Sequence, residues 1–506
     1  MKFLQTKNIN SPLYPKQESC NKKSYIFVSI FLSILSGFAI SLAFPPYNYH
    51  FLIWTALIPF LWVVIKAKSK KTIFLSASVF SIFYFGNTLK WILTINHWYP
   101  WGGTLALLGF ILLGNFWILS WATISKFFLN KISLNKNKYF NAILLTTPCL
   151  LWAFIEWLRQ FGTFGSTFAW LGYTQWQCSF INQISKAIGV YGISGIILLT
   201  NTSLTLLIML ILKKLYFITK KTFLIYLVIS LVVIIFSITY SIKEDSFSHK
   251  EIPSDLIIIQ PNIPQEYKLD KTKESLLKED YLNIIEKAVQ ECNKNKTISQ
   301  KDITILILPE TILPKCIIKD KLFTTELSKL LNYRINSFLL LGSPSITKNK
   351  TYNSILVIDN NKSIIAEYNK EKLVPFGEYL PIPNIFKKIF RKNNYFHTEY
   401  NKGSKGTLLS INNNKLGMGI CFESGFPKIY KNFSKNGADI LGVITNDAWF
   451  LNSSAAEQHL ILGVFRAIEN NKWFIQCANT GISAIINPSG KVIKKIDANK
   501  KGFLIH

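Results

Sequence analysis

Acidic side chains are scarce in this sequence: 28 Asp and Glu stand against 57 Lys and Arg, a formal net charge of +29 over 506 residues. Histidine is rarer still, with six scattered copies. The seven cysteines (Cys20, Cys149, Cys178, Cys292, Cys316, Cys421 and Cys477) form no CxxC pair and no zinc-like cluster. An odd number spread so thinly excludes a disulfide framework, and neither a metal nor a cofactor is expected. A positive excess of this size first suggests nucleic acid. The lysines argue otherwise, because many collect in short loops between apolar runs rather than in one basic domain. Membrane topology accounts for that distribution, and no nucleic-acid partner is expected.

What the chain has in abundance is apolar sequence. Apolar residues make up 49% and charged ones only 17%. They are concentrated in runs near 25–44, 51–65, 73–93, 103–125, 139–158, 188–212 and 222–241. Most reach the ~20 residues a helix needs to cross a bilayer. The second is short and the fifth contains Pro148. Lysines alternate with these runs. The amino-terminal tail has Lys2, Lys7, Lys16, Lys22 and Lys23; the second loop has Lys66, Lys68, Lys70 and Lys71. The fourth loop has Lys126, Lys131, Lys136 and Lys138, and the sixth has Lys213, Lys214, Lys220 and Lys221. The first and third loops have none, and the fifth has only Arg159 and Lys186. Positive loops stay in the cytoplasm. The expected arrangement is a cytoplasmic tail (1–24), a transmembrane domain of about seven helices (25–241) and an outer domain (242–506). Ser41-Leu42-Ala43 has the small-residue pattern of a signal-peptidase site, but the run before it is long for a signal peptide.

The outer loops carry His97, Trp98, Tyr99, Trp101, Trp170, Tyr173 and Trp176. An interfacial belt explains most of them. Glu156 and Arg159, three residues apart at the end of the fifth run, read either as an ion pair or as a contact with a headgroup or the domain above.

After Ser241 short apolar runs alternate with polar helices. Strands are predicted at 256–260, 303–308, 338–342, 354–358, 364–368, 416–421, 440–445, 473–478 and 483–487, and helices at 274–293, 321–336, 425–436 and 455–470. Asn360-Asn361 and Pro488-Ser489-Gly490 read as hairpin turns. An α/β layered fold follows. Three of these strands lead into ionisable residues: Pro309-Glu310, Asn369-Lys370 and Cys421-Phe422-Glu423. Each alone has a dull explanation as a helix start, a solvated turn or a packed thiol. Together they suit amide or ester chemistry. A carboxylate can take a thiol proton, a thiolate can attack a carbonyl, and a lysine can stabilise the oxyanion.

Their flanks carry a resemblance. Leu308-Pro309-Glu310-Thr311, Tyr368-Asn369-Lys370 with Leu373-Val374-Pro375-Phe376-Gly377-Glu378, and Gly419-Ile420-Cys421-Phe422-Glu423 are similar to the nitrilase (carbon–nitrogen hydrolase) superfamily. Asn446-Asp447-Ala448-Trp449-Phe450, Gln458-His459 and Arg466-Ala467-Ile468-Glu469 fit it too. The likeness covers roughly 256–492 and implies an αββα sandwich. Such a domain after several membrane spans resembles the apolipoprotein N-acyltransferase family, as do Glu156-Trp157-Leu158-Arg159, Gly189-Val190-Tyr191-Gly192 and Ile263-Pro264-Gln265. The resemblance implies that Glu310 is the general base, Lys370 the oxyanion stabiliser and Cys421 the nucleophile, with Glu378 and Glu423 in support. It also implies a phospholipid acyl donor, a diacylated apolipoprotein acceptor and a bacterial inner membrane, with the catalytic domain periplasmic. The sequence departs from the family at Leu269 (for Trp), Phe422 (for Tyr) and Lys372 (for His), and stops at His506 without the family's final span. The triad by itself also suits a membrane-anchored amidase with water as acceptor. A transporter with an outer binding domain is disfavoured, since few charges lie inside the runs, Lys90 being the most inward.

Overall fold

The computed structural model describes residues 22–132, 135–215, 218–245, 251–252, 254–294, 303–331, 336–382 and 399–506. Cys20 and most of the expected 1–24 tail lie outside the described residues. Helices fall on all seven apolar runs: Lys22–Leu42, Ile53–Ala56 with Ile58–Lys66, Lys70–Thr88, Gly102–Ile132, Lys138–Arg159, Ser185–Ile211 and Lys220–Asp245. Five are long and apolar enough to cross a membrane. A sixth span results if Lys70–Thr88 and the Lys90–His97 turn, bent by 58°, count as one, and this bend sets Lys90 beyond the long helix. The second run is short, as expected, within an apolar helical stretch His50–Lys66 that is interrupted at Leu57. Around the break, Asn201 accepts a hydrogen bond from the Leu57 N–H at 3.0 Å and donates to the Ile53 carbonyl at 2.9 Å. Backbone groups freed inside a membrane must find partners within the protein, and a buried amide supplies both kinds. Pro148 sits inside its helix without ending it.

The bundle has two unlike ends. At one, Lys66 and Lys126 donate to the carbonyls of Lys214 and Ile65. At the other, the aromatic loops meet the second half of the chain. Trp98 donates to the Trp449 carbonyl (2.9 Å), Trp91 to Gln458 (3.0 Å) and Asn48 to Glu457 (2.7 Å), and Glu469 accepts from Val190 N–H (3.0 Å). Glu156, expected as an ion pair or an outward contact, instead caps the bundle end from within, accepting from Trp152 and from Leu171 N–H.

The described residues of the second half contain twelve strands: β1 (Asp255–Gln260), β2 (Thr304–Ile307), β3 (Ser337–Thr347), β4 (Lys350–Ile358), β5 (Ile364–Asn369), β6 (Leu409–Ile411), β7 (Asn414–Ile420), β8 (Ile440–Thr445), β9 (Phe474–Ala478), β10 (Ser483–Ile486), β11 (Val492–Ile496) and β12 (Gly502–Ile505). They form two six-stranded sheets, ordered β12-β1-β2-β3-β4-β5 and β11-β10-β9-β8-β7-β6. Strand alternation builds the layers. Leu256, Ile258, Ile305, Ile307, Leu340 and Val357 share a core with Met418, Ile420, Val443 and Ile475 of the other sheet. Their neighbours Ile257, Ile259, Leu306, Leu339 and Leu341 pack outward against the helices Glu274–Lys294 and Lys321–Leu331. The helices Pro427–Lys435 and Ala455–Asn470 cover the second sheet, completing an αββα sandwich. With both faces of the inner strands buried, their sequences run almost continuously apolar.

Ala455–Asn470 joins the two halves. Leu460, Val464, Ala467 and Ile468 belong to the sandwich core, whereas Ala455, Ile461, Leu462 and Phe465 belong to the core of the bundle. Three strands escaped sequence reading. β6 has only three residues, and β11 reads VIKKI with its lysines exposed. β12 gains its partner only by pairing antiparallel with β1, far away in sequence.

Candidate active site

Four loops meet at one end of the sandwich. Glu310 follows β2, Lys370 follows β5, Cys421 follows β7 and Asn446 follows β8. The first two come from one sheet and the last two from the other. Glu310 can lie across β3 because residue 342 is glycine: a Cβ there would stand 2.6 Å from Glu310 Cα and 2.7 Å from the Thr311 nitrogen. β7 ends at Ile420, one residue earlier than its apolar pattern predicts. Cys421 then adopts φ +51°, a sparsely populated conformation for a residue with a side chain. Such strain at the end of a strand turns the thiol out of the sheet and into the loops.

Glu310 and Lys370 are buried, and Lys370 Nζ lies 3.7 Å from Glu310 Oε1 and 2.8 Å from Glu378 Oε1. The Asn353 amide bridges the two carboxylates, donating to Glu310 Oε1 and Glu378 Oε1 at 2.8 Å each. Glu310 Oε2 accepts from the Asn446 N–H at 3.0 Å, and Glu378 Oε2 from the Val374 N–H at 2.8 Å. The Cys421 thiol lies near the Thr445 hydroxyl and within electrostatic reach of Glu310 and Lys370, and that hydroxyl donates to Asp447 Oδ1 at 2.9 Å. Burial pushes that thiol well above its ordinary range, the Glu310 charge adds to this, and Lys370 opposes it. Burial alone would push the Lys370 ammonium down, but Glu378 and Glu310 together hold it well above the usual lysine range. The resting arrangement is therefore a protonated thiol beside a fixed cation and a hydrogen-bonded carboxylate. A thiol in that state needs a base at the moment of attack.

Glu423 lies between the Lys370 and Cys421 loops. One oxygen accepts from the N–H groups of Glu371 (2.7 Å) and Lys372 (2.9 Å), the other from Ile420 N–H (2.8 Å), and Tyr368 donates to both. It ties the Cys421 turn to the Lys370 loop, and burial pushes its carboxyl up to about 7. His459 stands behind Cys421, with Nδ1 3.0 Å from Asp447 Oδ1 and Nε2 3.2 Å from the Cys421 carbonyl. Phe422 reaches Phe168 of the bundle, ring centroids 6.2 Å apart. Leu269 is exposed on the short helix Gln265–Leu269.

All five residues expected from sequence, Glu310, Lys370, Cys421, Glu378 and Glu423, thus meet in one cluster. Two members were missed. Asn353 left no signal, since it stands one residue before the predicted 354–358 strand, in the mostly polar first half of β4. Lys268 is buried and donates to the Thr311 carbonyl at 3.0 Å, pinning the loop that carries Glu310. Burial pushes its ammonium down to about 7 against the pull of Glu310. Nothing in its local sequence marks it. Among the described residues no group of His, Cys, Asp and Glu is arranged to hold a metal ion.

Two family models match the chain: carbon–nitrogen hydrolase over residues 258–506, and the apolipoprotein N-acyltransferase N-terminal domain over 36–203. The apolipoprotein N-acyltransferase of Rickettsia bellii is 30% identical over 380 residues, 73% of this chain and 69% of that protein. The Geobacter metallireducens enzyme of the same name is 27% identical over 470 residues, 91% and 85% of the two chains. That of Aquifex aeolicus is 34% identical over 270 residues, 52% of this chain and 56% of its own. With both halves matched in order, the chain belongs to the apolipoprotein N-acyltransferase family.

Proposed function

We propose that the protein transfers a fatty acyl group from a phospholipid to the amino-terminal α-amine of a diacylglyceryl-cysteine on an apolipoprotein. Cys421 Sγ attacks the ester carbonyl while Glu310 takes the thiol proton, and Lys370 faces the oxyanion that forms. The tetrahedral intermediate collapses, Glu310 returns the proton to the departing glycerol oxygen, and a lysophospholipid leaves a thioester on Cys421. The lipoprotein amine attacks that thioester and gives its proton to Glu310; the second tetrahedral intermediate collapses, the C–S bond breaks, and Glu310 returns the proton to the departing Cys421 sulfur. The resulting amide is more stable than the thioester, which drives the second half, and the kinetics are ping-pong. Glu378 and Asn353 hold Lys370 and Glu310 in register, and Glu423 holds the two loops together.

The observation that carries this reading is the meeting of Glu310, Lys370 and Cys421 beside the aromatic end of a membrane bundle. Both substrates carry long acyl chains, and each methylene drawn into water costs about 0.8 kcal/mol. A site at the bilayer surface avoids that cost. On this reading residues 25–241 form the membrane domain and 242–506 the catalytic domain. The lysine-rich end faces the cytoplasm and the catalytic domain the periplasm, across the bacterial inner membrane. In an oxidising periplasm Cys421 must escape disulfide formation. It is a free thiol, and Cys477 is buried with its sulfur against the carbonyls of Ile259 and Ile307.

Incubating the full chain in membranes with labelled phospholipid and no acceptor tests this. An acyl thioester on Cys421, identified by mass spectrometry and lost in Cys421→Ala, is expected. Release of free fatty acid without transfer to added lipoprotein would favour the hydrolase instead.

A further inference from the structure

A pocket of about 230 Å³ lies between the two halves of the chain. Its membrane-side wall is Gln160 and Phe161, just past the end of the Lys138–Arg159 helix. The opposite wall comes from the catalytic domain and is rich in cations: Lys372, Lys402, Lys405 and Lys428 stand against one acid, Glu371. Glu371 is already engaged, accepting a hydrogen bond from the Gly406 N–H. Two of the lysines are held in place by the membrane half and by aromatic faces. Lys372 donates to the Gly162 carbonyl at 2.6 Å and lies 5.1 Å from the Phe426 ring centre, and Lys428 lies 5.6 Å from that of Phe161. Four cations facing one occupied carboxylate are an excess that an anion would relieve. Burial and the nearby Lys402 charge both press the Lys372 ammonium below its usual range, the same tension seen from inside.

We propose that this pocket binds a phosphate-class anion, supplied by the membrane as the headgroup of an anionic phospholipid. The pocket sits where an apolar helix ends, the depth at which headgroups lie. Basic pockets bordered by membrane helices recognise lipid phosphates through such charge. A zwitterionic headgroup would bring its own ammonium next to four lysines, so phosphatidylglycerol suits the site better than phosphatidylcholine. A free phosphate would share the charge contacts but would gain nothing from a tail left in the bilayer. The pocket is distinct from the triad, although Phe426 touches Phe422, the neighbour of Cys421, with ring centroids 4.9 Å apart. The inference rests on the membrane location of the chain and not on acyl transfer.

The test uses the full chain carrying Cys421→Ala, so that no chemistry consumes the lipid. The protein in mild detergent is titrated with phosphatidylglycerol or phosphatidylcholine, and retained lipid is counted by native mass spectrometry. One phosphatidylglycerol should be retained in preference to phosphatidylcholine. Adding Lys402→Gln, Lys405→Gln and Lys428→Gln should weaken that retention by about tenfold or more, and Arg at the same three positions should restore it. Equal retention by the Gln variant, or no preference for the anionic lipid, overturns the proposal. Displacement of the lipid by millimolar inorganic phosphate, but not by chloride at equal ionic strength, overturns the lipid as the source and assigns the pocket to free phosphate.

Discussion

Residue 421 is poised rather than reactive at rest. Its thiol is held protonated by burial and by the neighbouring carboxylate, so its reactivity depends on Glu310. Alkylation of the wild-type protein by iodoacetamide tests the first of these, and a Glu310 variant the second. The rate should climb with pH well into the alkaline range, because an acid whose pKa is raised stays protonated until then. Glu310→Gln should lower acyl-thioester formation at neutral pH by about 10²–10⁴-fold while leaving the fold intact, measured by stopped incubation and mass spectrometry. Lys268 makes a stability prediction. Folding forces this lysine towards neutrality at about pH 7, whereas in the unfolded chain it holds its proton up to the ordinary lysine range. The unfolded state therefore binds the extra proton between those limits, and stability from this group rises with pH across that window. Lys268→Met should remove that contribution, read as the difference between the two proteins' melting temperatures at pH 7 and pH 9.

Among the elements, β3 is as much a platform for the site as a part of the sheet. Its Gly342 leaves room for the Glu310 loop to cross, with Gly342 N–H donating to Pro309 and Ile312 N–H donating to Gly342. Gly342→Ala inserts a methyl at 2.6–2.8 Å from Glu310 Cα, the Thr311 nitrogen and Ile444 Cδ1, so backbone must move. Overpacking of this kind costs about 1–3 kcal/mol. The expected result is a lower melting temperature together with a loss of thioester formation larger than that cost explains, since Glu310 is displaced from the thiol. The Ala455–Asn470 helix is a second such element. One face closes the sandwich and the other is continuous with the bundle, which is why its apolar residues occupy nearly every turn.

At the scale of the whole molecule, the catalytic domain is not a globule tethered to an anchor. It shares a core with the bundle through Ala455, Ile461, Leu462 and Phe465, and it is hydrogen-bonded to Asn48 and to Trp91 and Trp98, in and beside the Lys90–His97 turn at the end of the bundle. A fragment spanning residues 251–506 would expose that face to water. Size-exclusion chromatography of the fragment should show aggregation, or monodispersity only in detergent, whereas the full chain in detergent remains monodisperse. A soluble, monomeric fragment would show that the shared core is dispensable.

The sequence by itself determined the helices of the first half, most of the apolar strands of the second and the ionisable residues Glu310, Lys370 and Cys421 at the ends of three of them, while Glu378 and the role of Glu423 came only through the family resemblance. These features are local: a long apolar run must be a buried or membrane helix, and a buried strand is apolar on both faces. The interruption of the second run leaves a local trace in Pro59, but its remedy, Asn201, is well over a hundred residues away. β12, Asn353 and Lys268 belong to the same class. Each is decided by a partner distant in the chain, namely β1, the paired carboxylates and the Thr311 carbonyl. Only tertiary structure decided those, since a polar group declares its role by what it is buried against, and burial is a property of the assembled fold.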